Sequence, residues 1–179
     1  MFRNLIGMIM VWISASFGYY LISYQLKYVR GDFYVNNITS QVTEIFATVV
    51  SGLVFKYLGI NKTILLSYSL SLAGMLSLTF STTNDQAWLS LFILGAKYGT
   101  CQLFNISYIG NTHLFPIVVV ATSYGTCNIF ARGSSILAPY IAEMKPDSIS
   151  QWCFSILMIV GLVVTSIIRD PKEAQAEKD

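Results

Sequence analysis

Long apolar runs, separated by short polar breaks, dominate this chain. The runs cover residues 5–24, 38–58, 64–80, 88–108, 117–141 and 149–168. Each run approaches the roughly 20 residues that a helix needs to cross the hydrocarbon core of a bilayer. Of the 179 residues, 54% are hydrophobic and only 11% are charged, whereas a soluble domain carries about 25% charged residues. The chain is therefore predicted to be a polytopic membrane protein.

Inside lipid, the apolar runs are expected to be helical, because every backbone N–H and C=O group needs a partner there. The alternative is a closed barrel, whose strands alternate apolar and polar residues, and these runs do not alternate. The sequence predicts an all-α fold with six transmembrane helices within residues 1–170 and a polar tail at 171–179. No small-residue cleavage site follows the first run, so we expect it to remain as a helix.

The positive charges divide unevenly between the two sides of the predicted helices. With six crossings, one side holds Arg3, Lys56, Lys62, Arg169, Lys172 and Lys178, and the other holds Lys27, Arg30 and Lys145. Because cytoplasmic loops carry the excess of Lys and Arg, both termini are predicted to face the cytoplasm or the equivalent side of an organelle. An organellar inner membrane and a plasma membrane both fit this orientation.

Patterns typical of enzymes are missing from the sequence. The single histidine, His113, has no Cys or His at metal-ligand spacing, and there is no glycine-rich phosphate loop. The short loops leave no room for a soluble catalytic domain. We expect no enzymatic activity, no cofactor and no nucleic-acid partner. Cys101, Cys127 and Cys153 fall within apolar runs, so a disulfide framework is not expected.

Three ionisable residues lie inside the apolar runs, where a charge costs roughly 2.5 to 3.5 kcal/mol on insertion scales. Such residues usually face a bundle interior or a watery cavity. Glu44 is predicted to pair with a cation or to line that cavity. Lys97, between Gly95 and Gly99, is predicted to pair with Glu44 or to snorkel rather than to contact a substrate. Arg132 lies too deep to snorkel and is predicted to face the cavity.

Uncharged polar residues add weaker candidates. Tyr20 and Tyr24, near the end of the first run, are expected either to line a pathway or to anchor the helix at the membrane interface. Asn105 is expected to form a hydrogen bond between helices, with a pathway role as the alternative. The candidate pathway residues are therefore Arg132, Glu44, Lys97, Tyr20, Tyr24 and Asn105.

Three stretches carry a resemblance to a known family: "GYYLISYQLKYVRGDFYVNNITSQVTEIFATVVSGLVFKYLGINK", "GAKYGTCQLFNISYIGNTHLFP" and "ARGSSILAP". They resemble the seventh and eighth helices, the tenth helix and the eleventh helix of the organic anion and organic cation transporters. These transporters belong to the major facilitator superfamily, so the resemblance implies the C-terminal six-helix half of that fold. It also implies that Arg132 faces a central cavity and attracts an anionic substrate, because the anion-handling branch has an arginine there.

The chain departs from that family at charged positions. In the loop after the eighth helix, where the family has a D-R-x-G-R pattern, Lys56 replaces the acid and Ile60 replaces the final arginine. His113 replaces the glutamate of the E-L-Y-P turn, and Val120 replaces the arginine that follows. A cavity lysine of the anion branch corresponds to Thr48. The charges that latch neighbouring helices in the family are therefore largely absent.

Two functional hypotheses follow from this resemblance. Halves of this fold rock around a site between them, so a six-helix chain is expected to have a partner. In the first hypothesis it is a non-transporting accessory subunit of a larger membrane complex, for example in an energy-transducing organelle, with other subunits and lipids as neighbours. In the second it is one half of a split organic-ion transporter that pairs with a complementary half or with itself. The missing latch favours the first.

Overall fold

The computed structural model of the protein describes residues 2–28, 33–81, 86–145, 148–166 and 168. The helices are α1 (Phe2–Gln25), α2 (Phe33–Phe80), α3 (Gln86–Leu114), α4 (Ile117–Ser135), α5 (Ala138–Ala142) and α6 (Ser148–Thr165). A short 3-10 turn, Leu26–Tyr28, extends α1. These ranges contain no strand, which confirms the all-α prediction for the part of the chain that the structure describes.

Several helices have the length and apolar character of membrane spans. Among the described residues, Phe2–Tyr28, Phe33–Phe80 and Ser148–Thr165 are long and apolar enough to cross a bilayer. The chain is thus an integral membrane protein. The helix boundaries differ from the prediction in two places: α2 runs through two predicted helices, and the fifth predicted helix is divided between α4 and α5.

Gly59 interrupts α2. Its φ of 75° and ψ of 178° are open to glycine but costly for residues with a Cβ. Residues 33–58 therefore form a first limb and residues 60–80 a second limb. Residue numbers increase together along the first limb and α3: Phe46 contacts Tyr98, and Phe55 contacts His113. The first limb is therefore parallel to α3. Along the second limb the partner numbers on α3 decrease: Ile60 contacts Gly110, and Ser71 contacts Thr100. The second limb is therefore antiparallel to α3. The chain therefore reverses direction at Gly59.

A second interruption separates α4 from α5. Pro139 has no N–H to donate to the carbonyl of Ser135, and its ring would clash with that carbonyl in a continuous helix. α4 accordingly ends at Ser135, and Ile136 and Leu137 form a turn before α5. Hydropathy alone did not reveal this break, because the residues around it are apolar or small.

Both ends of the described chain lie at one end of the bundle. Gly7 in α1 lies against Ile168, while at the opposite end the Gln25 amide donates to the hydroxyl of Ser150. The described loop cations follow the same division: Arg3, Lys56 and Lys62 lie at the first end, and Lys27 and Lys145 lie at the second. The remaining predicted loop cations and the tail at 171–179 lie outside the described residues.

Glycines allow α3 to pack closely on the second limb of α2. A Cβ at Gly99 would lie 2.6 Å from the backbone N of Ser71, and a Cβ at Gly74 would lie 2.4 Å from the backbone N of Ala96. A Cβ at Gly95 would make only an ordinary contact, 3.9 Å from the Cα of Gly74. The close approach that the Gly95–Gly99 spacing permits therefore occurs at Gly99, and Gly74 supplies the second close contact.

Candidate functional site

Arg132 lies in the last turn of α4 and is exposed. Its Nη1 donates a hydrogen bond of 3.4 Å to the hydroxyl of Tyr20 in α1. Within the described part of the chain, no carboxylate forms an ion pair with it. A guanidinium has five N–H donors arranged in a fork that suits a carboxylate or phosphate. Arg132 therefore presents most of its binding capacity outward.

Glu44 lies on the first limb of α2 and is half-buried. The hydroxyl of Tyr19 lies 3.1 Å from Oε1 and 2.9 Å from Oε2 of this carboxylate, so one hydroxyl proton is shared between the two oxygens. A carboxylate has about four acceptor positions on its two oxygens. Glu44 can therefore bind a further donor while it keeps the bond from Tyr19.

Lys97 in α3 is 1% exposed. Its Nζ donates to the hydroxyl of Ser23 at 2.8 Å and lies 3.5 Å from the centre of the Tyr19 ring. The structure does not form the direct Lys97–Glu44 ion pair that was one of the predicted alternatives. Tyr19 stands between the two charges, with its ring against the ammonium and its hydroxyl on the carboxylate. A buried cation is attracted to a ring face in this arrangement, and Glu44 supplies the opposite charge beyond it.

The consecutive residues Tyr19 and Tyr20 place Glu44 and Arg132 at similar depth. Successive residues of a helix rise by about 1.5 Å, and the two rings lie edge to face with their centres 5.5 Å apart. Tyr19 contacts the first limb of α2, whereas Tyr20 contacts α4. The acid and the exposed cation therefore flank the central helices α1 and α3 on opposite sides.

An aromatic cluster extends from these residues along α1, α3 and α4. The ring centres of Trp12 and Tyr108 are 4.7 Å apart, those of Trp12 and Tyr124 are 5.0 Å apart, and those of Phe104 and Tyr108 are 5.2 Å apart. This cluster was not predicted from the sequence. The i, i+4 spacing of Phe104 and Tyr108 was the available signal, since such pairs share one helix face. These tilted and edge-to-face rings form a largely apolar wall, and the faces of such rings attract cations.

The remaining candidates differ in position. Asn105 donates from Nδ2 to the hydroxyl of Thr48 at 3.1 Å, which links α3 to the first limb of α2. This geometry agrees with the interhelical hydrogen bond expected for Asn105. Tyr24 is 46% exposed and lies one helical turn beyond Tyr20, outside the group around Tyr19. The surface formed by Tyr20, Glu44, Asn105, Tyr124 and Arg132 is called the polar face below.

This combination of helices and site defines a class. A membrane-embedded helical bundle that presents an exposed arginine, a carboxylate and a cluster of aromatic rings on one face has the groups needed to bind charged organic molecules. The chain is a transporter-like integral membrane protein.

Curated relatives agree with this class. The chain is 27% identical over 138 residues to organic cation/carnitine transporter 2 of Homo sapiens, which is 76% of this chain and 24% of the relative. It is 27% identical over 142 residues to organic anion transporter 3 of Rattus norvegicus, with 76% and 26% covered. It is 23% identical over 164 residues to solute carrier family 22 member 16 of Xenopus laevis, with 90% and 28% covered. The chain thus spans about a quarter of the length of these relatives. No protein family model matches it.

Proposed function

We propose that the chain is one half of a carrier for organic ions and that the polar face is its wall of the substrate site. One observation carries this proposal: Arg132 is exposed beside Tyr20 and is not fixed to a carboxylate of the described chain. A deep charge needs water, a partner or a ligand. The relatives named for organic cations and organic anions support the same substrate class.

The proposed architecture is the six-helix half of a major facilitator superfamily transporter. The two limbs of α2 count as separate crossings because they run in opposite directions along α3, and α4 with α5 counts as one interrupted crossing. Counted in this way, the proposed topology has six crossings, with the described ends of the chain, Phe2 and Ile168, on one side of the membrane. The larger number of Lys and Arg residues on that side supports a cytoplasmic or equivalent orientation.

Site-directed labelling tests this orientation. In a chain whose native cysteines are replaced by serine, Lys145→Cys is expected to react with a membrane-impermeant maleimide added outside, because Lys145 lies at the end away from the termini. Lys62→Cys is expected to react only after the membrane is permeabilised. The measurement is the labelled fraction before and after permeabilisation. Labelling of both positions from the same side would contradict the proposed topology.

The proposed chemistry of the polar face is electrostatic and non-covalent. The guanidinium of Arg132 would hold the carboxylate of an organic anion through paired hydrogen bonds, which are strong and directional. The hydroxyl of Tyr20 lies beside the same position. Tyr124 and the rings behind it would cover the apolar body of the substrate. A second wall, supplied by a partner, would complete the site.

Uptake measurements test the role of Arg132. Replacing Arg132 with alanine is expected to lower the uptake of a carboxylate-bearing organic anion by about tenfold or more, since a hydrogen bond to a charged group contributes about 1.5 to 3 kcal/mol. Uptake is measured in vesicles from cells in which the variant replaces the endogenous chain. Lys145→Ala removes an exposed cation far from the polar face and should leave uptake unchanged. Equal uptake by the Arg132→Ala protein would refute this role.

The accessory-subunit hypothesis is the second candidate. The loop at residues 56–60, which corresponds to the family's charged latch, favours it. Ile60, at the position of the family's latch arginine, is 1% exposed and lies against Gly110. It has become a core residue, so alternating access would need other contacts. In this role Arg132 would bind an acceptor on another subunit. The Arg132→Ala variant would then reduce the amount of assembled complex on a native gel, and the wild-type vesicles would show no organic-anion uptake above background.

A further inference from the structure

We infer that the second wall is another copy of this chain, related to the first by a two-fold axis along the membrane normal. This inference rests on the proposed function, in which the polar face is one wall of the site. It starts from the placement of Glu44 and Arg132 at similar depth on opposite flanks of α1 and α3. A surface with opposite charges placed symmetrically about its centre is complementary to itself.

The order of helices on the polar face determines which elements such a pair would bring together. The first limb of α2 packs beside α3, through Thr48 and Asn105. α4 packs beside α1, through Trp12 and Tyr124. The order across the face is therefore the first limb of α2, α3, α1 and α4. A two-fold rotation about an axis in front of α1 and α3 places the first limb of one copy against α4 of the other.

The direction of the axis follows from insertion. Every copy carries the same bias of positive charges and so enters the membrane in the same orientation. Two copies in one orientation can be related by a two-fold axis only if that axis is normal to the membrane. Such an axis preserves depth, so Glu44 of each copy faces Arg132 of the other. The interface is isologous, so in the empty carrier the ion pair occurs twice. A substrate carboxylate would replace Glu44 on the guanidinium of Arg132.

Pairing of this kind would use the acceptor positions that remain on Glu44 and the N–H donors that remain on Arg132. Glu44 accepts one hydroxyl from Tyr19 and keeps acceptor positions for a guanidinium. Arg132 makes one hydrogen bond of 3.4 Å within the described chain. A lipid headgroup would neutralise Arg132 but would leave the remaining acceptor positions of Glu44 without a donor. An unrelated half would need a cation and an anion at these same two places, whereas a second copy already carries both.

Co-purification of two differently tagged copies tests the inference. Wild-type copies are expected to co-purify from detergent. Co-purification should fall by about tenfold or more when both copies carry Glu44→Arg, or when both carry Arg132→Glu, since each change puts like charges opposite each other twice. A Glu44→Arg copy mixed with an Arg132→Glu copy regenerates both ion pairs and should recover most of the wild-type signal. If Glu44 and Arg132 paired within one chain instead, the mixture would not recover the signal, because each copy would still carry two like charges.

Charge reversal can disturb folding at Glu44, so a second measurement avoids it. In chains without native cysteines, a bifunctional thiol reagent should join a Thr48→Cys copy to an Ile129→Cys copy, because these exposed residues lie about one helical turn from the two charged residues and leave both charges in place. Copies with Val163→Cys, which lies on the outer side of α6 and is 61% exposed, should give little product. Lys145→Glu should leave co-purification unchanged.

Two results would overturn the inference: wild-type copies that neither co-purify nor cross-link, or a mixed pair as weak as the single variants. These measurements do not depend on transport. If Arg132→Ala abolishes uptake while the copies fail to associate, the half-carrier proposal stands with a different partner, and only the self-pairing is wrong. If the copies associate as described but show no uptake with or without Arg132, the carrier proposal fails instead.

Discussion

Gly99→Ala and Gly74→Ala are each expected to destabilise the bundle by about 1 to 3 kcal/mol, the usual cost of overpacking a close-packed interior. A methyl group at Gly99 would lie 2.6 Å from the backbone N of Ser71 and 2.8 Å from the backbone O of Ser67. These are backbone atoms of a helix and cannot rotate away as a side chain can. The second limb of α2 would have to move away from α3, and its packing along that helix would be lost.

Thermal unfolding in detergent measures this effect. Cys101 is 2% exposed, so the reaction of its thiol with a fluorescent maleimide on heating reports loss of the fold. Gly125→Ala is the matched control, because a methyl group there would meet no described atom within 4 Å and alanine favours a helix over glycine by about 0.5 to 1 kcal/mol. Unfolding of Gly99→Ala at the wild-type temperature, or equal destabilisation by Gly125→Ala, would show that the close approach is not a determinant of stability.

Glu44→Gln is expected to destabilise the protein by about 1 to 2 kcal/mol, because Glu44 is half-buried and acts on Lys97 through Tyr19, and residues that share one hydrogen-bond network couple by about 0.5 to 3 kcal/mol. The substitution keeps the size of the side chain and removes the negative charge on the far side of Tyr19. The ammonium of Lys97, which is 1% exposed, would then have no nearby carboxylate in the described bundle. The Tyr19 ring and the hydroxyl of Ser23 would remain, but neither carries a formal charge.

A double-mutant cycle separates this electrostatic coupling from simple loss of packing. The Glu44→Gln, Lys97→Met double variant should be more stable than Glu44→Gln alone, because replacing both charges of a buried pair is often close to neutral. Tyr19→Phe keeps the ring under the ammonium and removes only the hydroxyl, so it should cost about 1 kcal/mol. The same thiol-reaction assay measures the wild type, the two single variants of the cycle, the double variant and Tyr19→Phe. A double variant whose loss equals the sum of the two single losses would mean that Glu44 and Lys97 do not interact.

The amino-acid sequence by itself determined the membrane environment and the helical class. Both depend on local properties: the length of an apolar run, the scarcity of charges and the need to pair every backbone group in lipid. The reversal at Gly59 falls in the polar break between two predicted helices, because the lengths of the apolar runs set where that break lies. The division of the described loop cations between two ends, as at Lys62 and Lys145, also follows from the sequence, because successive apolar runs place successive loops at opposite ends.

Only the tertiary structure decided the partners of the charged residues. Helix length and hydropathy do not set how each helix is rotated about its axis, because packing against neighbouring helices sets that rotation. Glu44 and Lys97 were predicted as a possible direct pair, yet their helices are packed so that the Tyr19 side chain fits between them. The same packing turns Arg132 toward Tyr20 and gathers Trp12 and other rings from three helices into one wall, which no spacing along a single helix specifies.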